Sequence, residues 1–216
     1  MEHKKYVPVG QGLHFGWKEF HTNTSFYIVS GLIIFSFFVG FGILSDVFED
    51  APIAAFAIFL AYIIVMSLLS IGYIKEVLLA VSGKTPSYKR LFSHSDRLFI
   101  FIICQCVYNL IVFSGIILFI IPGIVWGIRY MFAPYLVIDQ GLGIKAALKE
   151  SRNMTSGVKW DLLGAFVPLS IAGYLGIFAL GIGLFVSLQI SSIAMMYIFT
   201  SLRKQSTQQK LSTKKE

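Results

Sequence analysis

Seventeen of the eighteen Lys and Arg residues of this 216-residue chain are gathered into alternate connections between long apolar stretches. Lys4, Lys5 and Lys18 precede the first stretch; Lys75, Lys84, Lys89, Arg90 and Arg97 lie between the second and third; Lys145, Lys149, Arg152 and Lys159 lie between the fourth and fifth; Arg203, Lys204, Lys210, Lys214 and Lys215 close the chain. The intervening connections, around Asp46 to Ala51, Pro122 to Gly123 and Leu180 to Gly183, carry only acidic or neutral residues. This alternation predicts a polytopic membrane protein, because loops retained in the cytoplasm accumulate Lys and Arg. One cation, Arg129, lies inside an apolar stretch.

Composition agrees. With 56% hydrophobic and 13% charged residues, and a mean hydropathy of +0.75, the chain has too little polar surface to cover a soluble globule. A net charge of +7 would suit nucleic acid, but cations set between hydrophobic segments do not make the single water-exposed face that a nucleic-acid reader needs. Anionic lipid headgroups are therefore the expected partners, with self-association compatible and nucleic acid not expected. Cys104 and Cys106 stand two apart in an apolar segment, on different sides of a helix, and read as reduced packing residues. His14 and His21 have no Cys or carboxylate partner in register, so no metal and no cofactor is expected. Nothing resembles a cleaved signal peptide, since the first apolar run begins near Ser25 after a polar N-terminus.

At about 20 apolar residues per crossing, the spans are expected at 26–44, 52–74, 98–121, 123–138, 161–180 and 182–202. The fold class is all-α: six transmembrane helices as three hairpins in a single domain, 1–204. A disordered basic tail, 205–216, is expected to follow. The apolar runs 98–138 and 162–202 would each be about 60 Å long as one helix, twice the hydrocarbon thickness, so each must fold back. Pro122-Gly123 and Gly181-Ile182-Gly183 are the natural breaks. Pro134 makes the short fourth segment, 123–138, either a kinked crossing or a re-entrant one. An even number of spans with basic connections on one side predicts both termini in the cytoplasm of a bacterial inner membrane.

A faint threefold pattern accompanies the hairpins. Before each comes a short segment mixing bulky apolar and basic residues: Leu13 to His21, Pro86 to Ser93, and Ile144 to Thr155. These are expected to be interfacial helices, apolar side in the acyl boundary and cations among headgroups, with three ordinary cytoplasmic loops as the alternative. The expected lipid contacts are Trp17, Lys18, Lys89, Arg90, Lys145, Lys149 and Arg152.

An ionisable residue within a span is a functional hypothesis by default. Arg129 and Gln189 each lie seven residues past a turn and are expected at one depth, Arg129 donating to Gln189, to carbonyls or to a lipid phosphate, with Asn109 deeper on the third span. The three form a candidate site for an anion or lipid headgroup; the alternative is that Arg129 only packs and snorkels. Catalytic patterns are missing. There is no Gly-rich phosphate loop, no His-Glu-x-x-His, and no pair of carboxylates within the spans, so an enzyme is not expected.

From Ile120 onward the sequence reads Ile-Ile-Pro-Gly-Ile, then Arg129-Tyr130-Met131-Phe132-Ala133-Pro134-Tyr135, Asp139, Ala147-Leu148-Lys149-x-Ser151, Thr155-x-Gly157 and Trp160. With Gly16-Trp17-Lys18-Glu19-Phe20 and Asn23 near the start, this resembles the bacterial multi-pass family of domain of unknown function 975. It also resembles the membrane domain found beside glycerophosphoryl diester phosphodiesterases. The resemblance implies a six-helix bacterial inner-membrane protein and does not imply hydrolysis, since that chemistry belongs to a separate soluble barrel. The functional expectation is a non-enzymatic membrane protein that organises or regulates the envelope in contact with anionic lipid. A small transporter or lipid-handling protein with its anion site at Arg129 is the alternative.

Overall fold

A computed structural model describes residues 5–92, 96–164 and 182–213, and all regular structure among them is helical. The helices are α1 (Val9–Thr22), α2 (Thr24–Val47), α3 (Pro52–Val81), α4 (Leu98–Leu118), α5 (Ile120–Tyr130), α6 (Ala133–Gln140), α7 (Ile144–Thr155) and α8 (Ile182–Thr213). Among the described residues five segments are long and apolar enough to cross a bilayer: α2, α3, α4, the α5–α6 pair and Phe185–Gln209 of α8. The expected span 161–180 lies outside the described residues beyond 164, as do His94, Pro168, Gly173 and Gly176. Large side chains such as Phe35, Phe38, Ile53, Phe119 and Ile121 stand 58–86% exposed on these helices. In water that surface would aggregate; against lipid tails it is the ordinary exterior.

The boundaries follow local chemistry. Pro52 occupies the first turn of α3, where its missing N–H costs nothing. The fold-back in the run 98–138 falls at Phe119, whose extended backbone (φ −164°, ψ 150°) ends α4, and not at Pro122-Gly123 as expected. Pro122 is tolerated three residues later because it too sits in a first turn. Gly115 and Gly123 let α4 and α5 close on each other: a Cβ on Gly115 would lie 2.8 Å from the Gly123 Cα. Pro134 also begins a helix, so the fourth segment is two helices broken at Met131-Phe132.

Three expectations about the connecting segments are corrected. The segment 13–21 belongs to α1, which runs antiparallel along α8. Gly12 meets the Ala194 carbonyl, and a Cβ on Gly16 would come 2.7 Å from the Ile190 carbonyl oxygen. It is a packing helix beside a span, with Gly12, Gly16 and Phe20 buried against protein. The segment 86–93 forms only a single 3₁₀ turn, Tyr88–Arg90. The segment 144–155 is the helix α7, with Lys145, Lys149 and Arg152 exposed as expected. Its other face, Ala147, Ser151, Met154 and Thr155, is buried against α5, α6 and α8 rather than acyl chains. A fourth correction concerns the tail: α8 continues as helix to Thr213, past the expected end at 204.

Much of the basic end is held by cations acting on protein. Glu76, fully buried near the end of α3, takes two bonds from Arg90, at 2.8 and 2.9 Å, and one from the Ser87 N–H at 2.7 Å. This forked pairing holds Arg90 charged, its pKa raised by the hydrogen bond and then by the charge of Glu76. Arg90, expected among the headgroups, is instead the clamp of the α3–α4 connection. Arg97 donates to the Gly141 carbonyl at 2.9 Å, beyond the end of α6, where Gly141 adopts a φ of +65°. Arg203 pairs with Asp139, and Lys5 donates to the Asn153 carbonyl near the end of α7.

Gly72 of α3 lets the connection cross directly over it, for a Cβ there would stand 1.9 Å from the Leu91 carbonyl oxygen. Gly72→Ala should therefore destabilise the protein by about 1–3 kcal/mol, the usual range for overpacking. Gly42→Ala, with nothing within 4 Å of the added methyl, should be neutral. Thermal unfolding of both variants in detergent compares them directly.

Candidate functional site

The residues expected to act together separate into three places. Gln189 belongs to a polar knot joining α2, α3 and α8. Its amide nitrogen donates to the Tyr27 carbonyl at 3.1 Å, and its amide oxygen accepts from the Tyr73 hydroxyl at 2.5 Å. Tyr73 also lies 2.6 Å from the Ser192 hydroxyl, which donates to the Gln189 carbonyl at 2.8 Å. Gly31 lets α2 approach, since a Cβ there would come 2.4 Å from the Gln189 amide nitrogen. The amide of Gln189 is thus committed on both sides to partners other than Arg129. Asn109 lies exposed on α4, apart from the other two. The sequence signal for the knot was Gln189 itself; no pattern in the sequence singles out Tyr73.

Arg129 stands at the end of α5, where the α5–α6 break meets α7. Pro134 has no N–H to offer the Tyr130 carbonyl, and Ser151 of α7 enters the gap. Its hydroxyl donates to the Arg129 carbonyl at 2.9 Å and accepts from the Phe132 N–H at 3.2 Å. Thr155 adds a bond to the same carbonyl at 3.3 Å. These bonds pin the Arg129 backbone to the turn 151–155, which carries Arg152. The chain then runs through Val158, whose N–H donates to the Thr155 carbonyl, into the helical turns 159–164 that begin with Lys159.

Three cations therefore converge. Burial lowers the Lys159 pKa, and the charges of Arg129 and Arg152 lower it further. The Nε of Arg129 is buried and has no hydrogen-bond partner among the described residues. None of the three forms an ion pair with a described residue. A buried, unsatisfied guanidinium N–H costs free energy unless an acceptor reaches it, and two further cations add positive charge beside it. Lys159 was counted as a loop cation in the sequence; only the fold brings it beside Arg129.

Of the expected lipid contacts, Trp17, Lys18, Lys89, Lys145, Lys149 and Arg152 are all exposed. The Trp17 ring, 56% exposed, meets His21 edge-on at 4.6 Å. Cys104 is buried and Cys106 exposed, both free thiols.

The chain is an integral membrane protein, and it is similar to a UPF0259 membrane protein of Pectobacterium carotovorum subsp. carotovorum (strain PC1). The two are 27% identical over 153 residues, which cover 63% of this chain and 56% of that protein. The match thus spans little more than half of the relative's length. No family model matches the chain, so the resemblance to a phosphodiesterase-linked membrane domain finds no support there. No solved structure matches it.

Gln189→Leu would leave the Tyr27 carbonyl and the Tyr73 hydroxyl short of a partner. Because the Tyr73 hydroxyl keeps Ser192 and the Tyr27 carbonyl keeps the Ser30 hydroxyl, the substitution should cost about 0.5–1.5 kcal/mol, the net worth of a hydrogen bond. Gln189→Glu, which keeps an acceptor for Tyr73 but loses the donor to Tyr27, should also destabilise. Equilibrium unfolding in mixed micelles measures both.

Proposed function

We propose that this chain is a non-enzymatic bacterial membrane protein that holds the phosphate of an anionic lipid at Arg129, Arg152 and Lys159. The observation that carries this reading is the buried Nε of Arg129, unpartnered among the described residues and flanked by two cations. Phosphate oxygens suit a guanidinium because it presents its N–H groups as a planar fork, and an anion offsets the mutual repulsion of the three side chains. The exposed Lys145 and Lys149 on α7 add attraction toward an anionic bilayer surface. In this reading the basic end of the bundle faces the cytoplasm of the inner membrane, and both termini lie there. Retention of lipid by such a site is the chemistry of a protein that organises or handles envelope phospholipid.

Native mass spectrometry of the protein released from membranes reads retained lipid and oligomeric state together. Wild type should carry anionic phospholipid, and Arg129→Gln should lose it while melting at the same temperature. Lys204→Gln, at an exposed position outside the cluster, should retain it. Equal retention by wild type and Arg129→Gln would sink the proposal.

Lys159 gives an independent readout. Without lipid, its lowered pKa means that the unfolded chain binds more protons than the folded one between the lowered value and the ordinary 10.5. Stability should rise with pH across that window. A bound phosphate favours the charged amine and should move the Lys159 titration back upward, followed by NMR of the labelled side chain in nanodiscs with and without phosphatidylglycerol.

A further inference from the structure

A second recess has the opposite chemistry. Between α3, α4 and the α5–α6 break opens a cleft of about 540 Å³, with Met195 of α8 contributing to its wall. At roughly 30 Å³ per water in the liquid it could take on the order of eighteen waters, and it lies within the usual size range of small-molecule sites. Much of the wall is apolar, formed by residues such as Met66, Phe101 and Met131, and among the described residues no Asp, Glu, Lys, Arg or His lines it.

Four of the six polar side chains in the cleft are unclaimed by the described residues. Ser70 spends its hydroxyl on the Met66 carbonyl and Tyr108 reaches the Gly127 carbonyl at 3.4 Å. By contrast, the hydroxyls of Tyr62, Ser67 and Tyr135 and the amide of Gln105 form no hydrogen bond with any described residue. Tyr135 is held in place by ring contacts with Phe132 and Phe199, at 6.3 and 5.8 Å between centroids. Idle donors and acceptors in the hydrocarbon region are expensive unless something answers them. A charged occupant would lose its hydration there with no opposite charge to offset the loss.

We infer that this cleft binds an uncharged amphiphile, its hydroxyl or carbonyl head bonded to Gln105 and Tyr135 and its apolar body lying along Met66, Phe101 and Met131. The site is separate from the cationic cluster, because Arg129 does not line it. The two differ in selection: the cluster takes charge, the cleft rejects it.

The test uses the full chain in nanodiscs and a long-chain alcohol bearing a photoreactive diazirine, with the matching carboxylic acid and alkane as comparisons. The alcohol should label peptides of α3, α4 and the α5–α6 break saturably, and unlabelled alcohol should compete it away. Gln105→Leu and Tyr135→Phe should each lower the saturable label by about 2- to 12-fold, the worth of one neutral hydrogen bond. Arg129→Gln should leave it unchanged, which separates this site from the phosphate site. Tyr135→Phe keeps the ring packing, so its loss of label is not a loss of fold. The inference is overturned if no saturable label appears, since the cleft then holds only water. It is equally overturned if both variants label like wild type, or if the acid labels the cleft as strongly as the alcohol.

Discussion

Lipid removes the force that usually assembles helices, since hydrocarbon tails are as apolar as Leu side chains. What remains is close packing and hydrogen bonding, and in this protein both meet at Gln189. One amide ties the Tyr27 carbonyl of α2 to the Tyr73 hydroxyl of α3 through a residue of α8. Glycine makes the approach possible, at Gly31 on α2 and at Gly12 and Gly16 on α1. With α1 laid lengthwise on α8, that last helix serves as the post on which α1, α2, α3 and α7 are registered.

The basic residues divide by partner rather than by position in the chain. Arg90 answers a buried carboxylate, Arg203 answers Asp139, and Arg97 and Lys5 answer backbone carbonyls near the ends of α6 and α7. Each of these bonds satisfies groups that a helix end or a buried acid would otherwise leave costly. Arg129 stands apart because its buried Nε answers nothing among the described residues, and Arg152 and Lys159 beside it form no ion pair there either. A shared consequence of the α5–α6 break unites the two candidate sites. The break exposes the Arg129 carbonyl to α7, which brings Arg152 and Lys159 alongside, and it turns Met131, Pro134 and Tyr135 toward the cleft.

Hydropathy and charge made α2, α3 and α4 legible, because a bilayer enforces a fixed apolar length. The exposed basic face of α7 was legible too, from Lys145, Lys149 and Arg152 at helical spacing. Turn positions were less so. Pro122 looked like the hairpin tip, yet a proline in a first turn is as comfortable as one in a loop, and the chain folds back at Phe119. Glu76 escaped attention because it lies among Ile74, Val77 and Leu78, and no local pattern tells a buried paired carboxylate from an exposed one. The segment 13–21 has an apolar face that suits lipid and protein equally, so its periodicity could not decide between them.

The sequence by itself determined an all-helical membrane protein and the approximate positions of α2, α3 and α4, since each rests on apolar length counted along the chain. The tertiary structure decided which polar groups meet. Arg129 and Gln189 lie at matching offsets from their turns and still go to different partners, because a hydrogen bond depends on the rotation and lateral neighbours of a helix. The cluster of Arg129 with Lys159 and the unclaimed amide of Gln105 beside Tyr135 are products of that packing, and residue order alone carries no trace of either.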